Sequence, residues 1–549
     1  MSNTFKIKIR GQEKEFDHKV KLLDLIEGDV HDYINASVNN RLRELTYEVF
    51  YDAEVELYTK ADYYAIKIYE TSLRYIIAMA ASRAFTDFKI KFSYNISRSI
   101  YISIVGGGRH FTSEDVKLLK ATMDDIIAHD YPLVRKIVTN EEAEKIYQER
   151  GFSDKIEILK YRPEKTVHFY ECDGYLNYMY GHMVPSTGHI RDYRLIQFGN
   201  GILVQYPRSE EKGEIPVFEE APVYGNTLKE SYTWAKLVRS DSIAAINKHV
   251  EKDGAIDFIN LCEQHHNNML ADLGQQIKTN SGNIKLICIA GPSSSGKTTF
   301  ANRLRIELLS IGIKTVRISI DDYYLDKEIT PLDEDGKPDL ECLEALDVPL
   351  FNQNMLDLIN GEKVQLPHFD FQSGKRVPGR TIQIEPDEII IIEGIHALNE
   401  KLTSLIAKHQ KFKIFIAPQA QINIDNHNPI SLTDLRLLRR IVRDYQFRNS
   451  SAEETISMWP SVRKGEFKWI YKTQENANYV FNSLLPYEIC VMKSYALPLL
   501  KKININSPHY SLANRLIKFL KFFVDLEPTW VPCNSILREF IGGSCFKDV

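Results

Sequence analysis

The sequence predicts a multidomain α/β protein whose second half folds as a parallel sheet flanked by helices. Between residues 284 and 505, near-continuous apolar runs alternate with helical patterns, as is typical of strands buried on both faces of a parallel sheet. The first of these runs leads into a glycine-rich loop and then a helix. The 549 residues are too many for one hydrophobic core, so about two to four domains are expected.

The composition indicates a cytoplasmic protein with no membrane partner. The formal net charge is −5, which does not favour a bulk affinity for nucleic acid, although one domain could carry a basic face. The seven cysteines are dispersed without a CxxC pair, as is typical of reduced thiols. The start, MSNTFKIKIRGQEKEF, has no apolar signal core, and no apolar stretch of about 18 residues occurs. The oligomeric state does not follow from the sequence.

Residues 1–60 are expected to form a small β-grasp module. TFKIKIR and AEVELYT alternate apolar and polar residues as strands do, and KLLDLIEGDV between them is the position of one predicted helix. With ASVNNRLREL before the last strand, this order resembles the TGS domain found at the front of threonyl-tRNA synthetase and of some GTPases.

Residues 61–206 are expected to form an α+β module. Two long amphipathic helices are predicted at YYAIKIYETSLRYIIAMAASRAF and HFTSEDVKLLKATMDDIIAHD, with strands around them. Together with the later turn YGHMVPSTGHI, this order resembles the second additional domain of threonyl- and alanyl-tRNA synthetases. In that family, a HxxxH pair on the first helix joins a cysteine and a histidine near the turn in a metal or editing site.

The ligands of that family site are replaced in this chain. The four positions are occupied by Thr71, Tyr75, Met179 and Met183. None of these side chains binds zinc as an imidazole or a thiolate does. His182 and His189 lie close by, but two histidines alone make a weak site. We therefore expect the front 200 residues to keep their fold without stoichiometric zinc and without hydrolysis of aminoacyl-tRNA; the alternative is a residual small-molecule or RNA-binding role.

Residues 207–283 are expected to be a linker followed by a helix that docks on the next domain. PRSEEKGEIPVFEEAP is polar and contains prolines, and a helical pattern begins at DSIAAINKHVEKDGAIDFINLCEQ. His265 and His266 suggest a metal site, but no carboxylate stands at a clear ligand spacing. We therefore expect both histidines to be solvated.

The loop GPSSSGKT behind the strand KLICIA matches the phosphate-binding loop (P-loop) motif G-x-x-x-x-G-K-[ST]. Its glycines allow backbone N–H groups to face a phosphate, and the N-terminus of the following helix adds a positive end. Lys297 should reach the β- and γ-phosphates, and the Thr298 hydroxyl should bind Mg²⁺, so ATP and Mg²⁺ are the expected cofactors. The loop residues expected to bind nucleotide are Gly291, Pro292, Ser293, Ser294, Ser295, Gly296, Lys297, Thr298 and Thr299.

Carboxylates follow two of the predicted strands. Glu393 ends the strand in EIIIIEG and is expected to help hold the metal; the alternative is a solvated glutamate at a strand end. Asp321 and Asp322 follow the strand TVRISI and should lie beside the phosphates, because ligands bind at the carboxyl edge of such sheets. An aspartate there can accept the proton of an acceptor hydroxyl in phosphoryl transfer.

The segment SIDDYY resembles the SxDxFY segment of uridine kinases and phosphoribulokinases. In that family the aspartate faces the acceptor hydroxyl and the metal. Alignment through Tyr324 assigns these roles to Asp321, with Asp322 second, and places Tyr324 at the acceptor. LECLEALD resembles the family segment that carries a ribose-binding aspartate, and it puts Glu341 at that position.

The chain departs from the family where the family contacts the base and the ribose. GEKVQLPHFDFQSGKR aligns with G-x-x-V-x-x-P-x-Y-D-F-x-x-H, but Phe369 replaces the tyrosine and Gly374 the histidine. Aromatic contact with the acceptor through Phe369 and Phe371 can survive these changes, whereas the family's polar groups on the base are missing. Ser450 replaces a later family arginine on the ribose.

LTDLRLLRRIVRDYQFRNSSAEET resembles the arginine-rich lid of the same family. Arginines are suited to clamping a transferring phosphoryl group, and the alternative is a solvated basic helix face. The resemblance implies catalytic contacts for Arg440 and Arg443, a substrate contact for Arg440 and a nucleotide contact for Arg448. Arg436 and Arg439 recur at the same helical spacing.

Residues 284–505 therefore resemble a uridine-kinase-like P-loop kinase domain, and residues 506–549 form a C-terminal extension without a counterpart. The fold class is a P-loop NTPase preceded by the β-grasp TGS-like domain and the α+β domain. The expected function is ATP-dependent phosphorylation of a nucleoside hydroxyl, with a uridine- or cytidine-like acceptor. Two alternatives stay open: an RNA- or tRNA-associated regulatory NTPase, and a kinase of another sugar alcohol. Binding of nucleic acid is not favoured.

Overall fold

A computed structural model describes most of the chain. The described residues are 4–106, 108–251, 254–332, 336, 338–370, 373–419 and 422–547. Within these ranges, every helix is either too short or too polar to cross a membrane.

The N-terminal region forms a mixed sheet with strand order β2–β1–β7–β4–β5, in which β1 and β7 are parallel. The strands of this region are β1 (Phe5–Ile9), β2 (Gln12–Phe16), β3 (Val20–Lys21), β4 (Tyr33–Val38), β5 (Arg41–Arg43), β6 (Glu48–Val49) and β7 (Ala53–Thr59). The predicted helix is instead a single 3₁₀ turn at Leu22–Leu25. One turn suffices because its two buried leucines already join the core of this sheet.

The next region has two antiparallel sheets, ordered β13–β14–β9–β8 and β10–β11–β12. Both predicted long helices are confirmed, as α1 and α2. The elements are α1 (Tyr63–Ala84), β8 (Ile90–Ile96), β9 (Ser99–Ile104), α2 (Ser113–Ala128), β10 (Val134–Thr139), α3 (Asn140–Glu149), α4 (Ser153–Leu159), β11 (Thr166–Cys172), β12 (Tyr175–Tyr178), β13 (Arg194–Phe198) and β14 (Gly201–Gln205).

The connecting region contains three helices in its described residues, α5 (Pro222–Leu237), α6 (Ile243–Glu251) and α7 (Ala255–Asn280). Helix α5 was not predicted from the sequence, although Pro222 at its first turn is a typical helix start. The expectation that both neighbouring histidines of α7 are solvated is wrong for His266. That side chain is buried and hydrogen-bonded through Nε2 to the Leu484 carbonyl at 3.1 Å, while His265 stacks on Trp234.

The second half contains the predicted parallel sheet, ordered β16–β19–β15–β20–β23, with every neighbouring pair parallel. The predicted strands KLICIA, TVRISI, EIIIIEG and KFKIFIAP are confirmed. The elements are β15 (Leu286–Ala290), α8 (Lys297–Ser310), β16 (Thr315–Ser319), α9 (Val348–Ile359), β17 (Val364–Asp370), β18 (Lys375–Ile382), β19 (Ile389–Glu393), β20 (Lys411–Ala417), β21 (Asn423–Asp425), β22 (Asn428–Pro429), α10 (Leu432–Phe447), α11 (Ala452–Gly465), β23 (Tyr479–Asn482) and α12 (Glu488–Lys501).

The C-terminal residues belong to the same core as the parallel sheet. After α13 (Tyr510–Leu520), the chain returns to the P-loop and forms the short helix α14 (Arg538–Ile541). Ile536 and Phe540 are fully buried in the cluster that holds Phe300 of α8. The end of the chain is therefore placed beside the nucleotide-binding loop.

A hairpin formed by β21 and β22 joins the two halves of the molecule. The Asp425 carboxylate pairs with Lys155 at 2.9 Å, and both side chains are buried. The His427 carbonyl accepts a hydrogen bond from Arg74 of α1, at 2.5 Å. The hairpin therefore packs between α1 and α4 of the front half.

Candidate active site

The loop between β15 and α8 requires glycine at both ends. A Cβ on Gly291 would lie 2.0 Å from the Ile416 carbonyl oxygen of β20. Gly296 has a φ of +89°, and a Cβ there would lie 2.4 Å from the Ile536 side chain. The loop thus passes so close to its neighbours that larger residues cannot be accommodated.

Several hydroxyl groups of this loop are buried without a partner. Among the described residues, nothing pairs with Ser294 Oγ, Ser295 Oγ or Thr299 Oγ1. Buried polar groups are rarely left unpaired, so these hydroxyls indicate a polar ligand. The first turn of α8 contributes N–H groups in the same place, and Thr298 is half-buried there. The loop and the first turn of α8, which contains Thr298, therefore fit the phosphates of a nucleotide.

Lys297 lies at the centre of the site. Its ammonium donates to the carbonyls of Gly291 at 3.1 Å and Pro292 at 3.3 Å. Burial lowers the pKa of Lys297, and the nearby charges of Glu393 and Asp321 oppose that shift. The sheet edge thus brings together the lysine and the carboxylates predicted from separate motifs.

Burial raises the pKa of three carboxyl groups near Lys297. For Asp321, burial raises the pKa, and Lys297 opposes the shift. Burial raises the pKa of Glu341 to about 7 against the charge of Arg440. Burial likewise raises the pKa of Glu393 to about 7, although Arg317 lies 3.1 Å from its carboxylate. Carboxylates crowded in this way hold a proton or a cation readily, and Mg²⁺ prefers such oxygen ligands.

The two neighbouring aspartates have different surroundings. They lie on a 3₁₀ turn, Ile320–Tyr323, just after β16. Asp322 accepts hydrogen bonds from the His368 ring at 2.9 Å and from the Phe369 N–H at 3.3 Å, which ties it to β17. Asp321 faces Lys297 instead. The contacts of Asp322 support the fold of the turn, whereas Asp321 belongs to the site.

Two of the predicted acceptor residues, Tyr324 and Phe369, are buried in the core beside Asp321. The Tyr324 hydroxyl donates to the Leu340 carbonyl at 3.0 Å, and the Phe369 ring lies 5.6 Å from the Tyr324 ring. Phe369 is only 1% exposed. Phe371 lies outside the described residues. Gly374, with a φ of +68°, turns the hairpin between β17 and β18, and a Cβ there would clash with Lys327.

Three arginines at the end of α10 surround one carboxylate, Asp444. We call Arg440, Arg443 and Arg448 the arginine cluster. Arg443 donates to Asp444 at 2.7 Å, and Arg440 donates to the Ser293 hydroxyl of the P-loop at 2.7 Å. The charge of Arg443 is the main cause that lowers the pKa of Arg448 to about 10. All three guanidinium groups contact Asp444, and the charges of Glu341 and Asp321 also act on Arg440 and Arg448, so the cluster is partly balanced by carboxylates of the site.

The other two arginines of α10 are structural. Arg439 and Glu488 form a fully buried ion pair, and Arg439 also contacts the Ser294 carbonyl at 3.4 Å. Arg436 is paired with Glu466 and donates to the Ser293 carbonyl at 3.0 Å. Both arginines hold carbonyl groups of the P-loop, so this part of α10 is a packed core helix and not a lid.

Glu539 also lies at the site, although the sequence did not predict it. Its carboxylate accepts a hydrogen bond from the Thr299 N–H at 2.9 Å, in the first turn of α8. Its charge also opposes the lowering of the Lys297 pKa. A carboxylate at a helix N-terminus occupies a position that also suits a phosphate group. VPCNSILREF gave no local signal for this contact, because it joins residues 240 positions apart.

We expect Glu539→Gln to tighten the binding of Mg²⁺–ATP several-fold, because it removes a negative charge from the phosphate-binding end of α8. Calorimetric titration with a non-hydrolysable ATP analogue measures the change. Asp525→Asn is the matched control, since this exposed side chain pairs with Lys493 on the same C-terminal segment. Unchanged or weaker binding in Glu539→Gln would contradict the competition between Glu539 and the nucleotide.

We expect Glu341→Gln to stabilise the ligand-free protein in alkaline solution. A carboxyl group whose pKa rises from 4.5 to about 7 on folding contributes stability that is complete at low pH and lost as the pH rises through 7. The gain in the free energy of unfolding should grow by up to about 3 kcal/mol between about pH 5 and pH 8.5. Thermal melts at both pH values test this, with the exposed Glu344→Gln as control. A gain that is equal at both pH values would contradict it.

Comparison with known proteins identifies two regions. Residues 286–489 match the phosphoribulokinase / uridine kinase family. A uridine kinase from Staphylococcus haemolyticus is 34% identical over 33% of this chain and 79% of its own length. A threonine–tRNA ligase from Caldanaerobacter subterraneus is 26% identical over 37% of this chain, in the other region, and only 32% of that ligase is covered. Among solved structures, D-glycerate 3-kinase from Cryptococcus neoformans is 15% identical over 47% of this chain and 91% of its own length, with a TM-score of 0.22.

The parallel sheet, the P-loop and the matching kinase sequences define a P-loop kinase, a class that uses ATP and Mg²⁺. The chain belongs to the phosphoribulokinase / uridine kinase family through its C-terminal region, which is fused to a region similar to threonine–tRNA ligase.

Proposed function

We propose that this kinase transfers the γ-phosphoryl group of ATP to a hydroxyl of a nucleoside, with a uridine- or cytidine-like acceptor. The observation that carries the proposal is the placement of Asp321 beside Lys297 at the carboxyl edge of the parallel sheet. The similarity to enzymes named uridine kinase supports the choice of acceptor class.

The residues of the site take separate roles in this reaction. Loop N–H groups and Lys297 hold the donor phosphates, and Thr298 and Glu393 hold the metal together with Asp321. Bound Mg²⁺ would offset charge on the phosphate oxygens. Asp321 accepts the proton of the acceptor hydroxyl as its oxygen bonds to the γ-phosphorus and ADP leaves.

The arginine cluster stabilises the charge that spreads over the transferring phosphoryl group. Arg440 already contacts the P-loop through Ser293, so a short movement of its guanidinium brings it to the γ-phosphate. Because the charge of Arg443 is the main cause that lowers the pKa of Arg448, an arriving phosphate relieves the repulsion between these two arginines. Arg448 contributes from the nucleotide side.

The acceptor pocket we propose lies between Glu341, Tyr324 and the edge of Phe369. Glu341 would accept a hydrogen bond from a ribose hydroxyl. Gly374 and Ser450 stand where the family has polar groups, so recognition of the base should be looser than in the relatives. ADP release measured with a panel of nucleosides and sugars tests this acceptor. Stimulation by sugar alcohols alone, or by no acceptor, would contradict the proposal.

We also propose that the front half keeps synthetase-like folds without editing chemistry. The Tyr75 hydroxyl donates to the carbonyls of Tyr170 and Tyr175, and Thr71 donates to the Lys67 carbonyl at 2.8 Å. Met179 and Met183 are buried in the same core, 2% and 1% exposed. These positions fill space where the family has a metal or editing site.

A further inference from the structure

Three side chains that are distant in sequence meet where the N-terminal sheet touches the second region. His31 lies in the short turn just before β4, Asp130 follows α2, and His189 ends the turn after β12. One ligand atom from each lies within 4.8 Å of the other two. The cluster is separate from the kinase site and from the four positions of the lost family site.

His31 is held in the orientation that metal-binding histidines adopt. Its Nδ1 lies 2.8 Å from an oxygen of Asp29, and its Nε2 points toward Asp130 at 2.9 Å. The other oxygen of Asp29 accepts from Arg191 at 2.8 Å. A carboxylate bonded to the far ring nitrogen is the usual outer partner of a metal-binding histidine.

Asp130 is positioned by its backbone and by Gly188. Its φ of +48° lies in the left-handed region, which is uncommon for a residue with a side chain. One carboxylate oxygen accepts from the Gly188 N–H at 2.8 Å, which leaves the other oxygen for the cluster. A Cβ on Gly188 would lie 2.4 Å from Asp130 and 3.1 Å from His31 Nε2, so only glycine fits beneath the two side chains.

His189 supplies the observation that points to a ligand. Its side chain is only 3% exposed, and its Nδ1 lies 2.9 Å from the Ser186 hydroxyl. Its Nε2 is buried and has no partner among the described residues. The His31 and His189 rings are 4.7 Å apart.

We propose that His31 Nε2, Asp130 and His189 Nε2 bind one divalent transition-metal ion. Two imidazoles and one carboxylate suit zinc, cobalt or iron better than magnesium or calcium, and bond lengths of about 2.0–2.2 Å need only small shifts of these side chains. Three protein ligands leave a coordination position open. The fold thus carries a metal centre made from both front regions, at a place different from the family's editing site.

The competing account is a charged His31 that bridges two carboxylates without any metal. That account leaves the buried His189 Nε2 without a partner among the described residues. A metal ion satisfies all three groups, because His189 becomes a ligand and His31 releases its proton.

The test is a titration of the full-length, chelator-treated protein with Co²⁺, followed by its visible absorption, and with Zn²⁺ by calorimetry. We expect one equivalent to bind with the absorption of a low-coordinate cobalt site. His31→Gln and His189→Gln should each weaken binding by at least about 10-fold, and Asp29→Asn by about 10- to 100-fold. His129→Gln is the matched control, because this exposed histidine adjoins Asp130 without joining the cluster.

Two further variants separate this centre from other sites. Glu393→Gln should keep the histidine-dependent absorption, because that residue lies in the kinase site. Zn²⁺ should raise the melting temperature of the wild type and of His129→Gln but not of His189→Gln, which shows that the variants are folded and lack only the ion. The proposal would be overturned if the wild type bound no equivalent of Co²⁺ or Zn²⁺, or if metal binding survived both histidine changes. Loss of binding in His182→Gln instead would show a different ligand set.

Discussion

Lys297→Ala is expected to reduce phosphoryl transfer by about 10³-fold or more while the protein stays folded, since removing one preorganised charge from a transition state already costs about 10²–10³-fold. Among the described residues, the ammonium is hydrogen-bonded to two loop carbonyls, at 3.1 and 3.3 Å. Its charge is therefore available to the β- and γ-phosphates. Loss of the side chain also removes a partly buried charge, so the fold should not be weakened.

ADP release in the presence of Mg²⁺–ATP and a nucleoside measures this effect, and a thermal melt confirms the fold. Lys285→Ala is the matched control, because this lysine lies at the opposite end of β15 and donates to the Pro386 carbonyl. Turnover that persists in Lys297→Ala would show that the loop is not the donor site. A large loss in Lys285→Ala would show that the assay reports stability.

The features predicted correctly from the sequence are those encoded locally. KLICIA, EIIIIEG and the P-loop each need only a few neighbouring residues to define strand, turn and helix start. Glu393 and Asp321 could be placed at one edge because parallel strands share their carboxyl ends. Asp321 and Asp322, the two aspartates that follow the TVRISI strand, could not be assigned separate roles from the residues alone.

The features that were missed depend on distant contacts. The polar sequence around His266 predicted exposure, but the Leu484 carbonyl lies against it. The arginines of the α10 segment share one periodic pattern in the sequence. Only their partners distinguish the buried Arg439, paired with Glu488, from the arginine cluster around Asp444. Glu539 contacts the P-loop across 240 residues.

Asp321→Asn is expected to retain ATP binding and to slow phosphoryl transfer by about 10²-fold or more, because proton acceptance usually contributes that much. Asp321 is the aspartate that faces Lys297, and it has the Arg443 and Arg448 charges nearby. Its raised pKa, caused by burial, makes it a better proton acceptor than an exposed aspartate. Asparagine has nearly the same shape but takes no proton, so the loss should fall on the rate of transfer.

Asp322→Asn is the matched control in the adjacent position. Its oxygen accepts from the His368 ring and the Phe369 N–H, and an asparagine oxygen can keep at least one of these bonds. We therefore expect less than about a 10-fold change in transfer, since surface substitutions away from a reacting group have small effects. The measurement is one ADP-release assay on the wild type and both variants, with and without a nucleoside panel.

The four outcomes of this assay separate the hypotheses. A large loss in Asp321→Asn alone supports the kinase with Asp321 as proton acceptor. Equal losses in both variants would mean that the assignment through Tyr324 is wrong by one position. Basal ATP hydrolysis that is unchanged in both variants and unaffected by any nucleoside would instead indicate a regulatory NTPase that uses water. Stimulation by sugar alcohols but not nucleosides, with the same loss in Asp321→Asn, would keep the proposed catalytic role of Asp321 and change only the acceptor. The chain differs from the family at Phe369, Gly374 and Ser450, where the family contacts the base and the ribose.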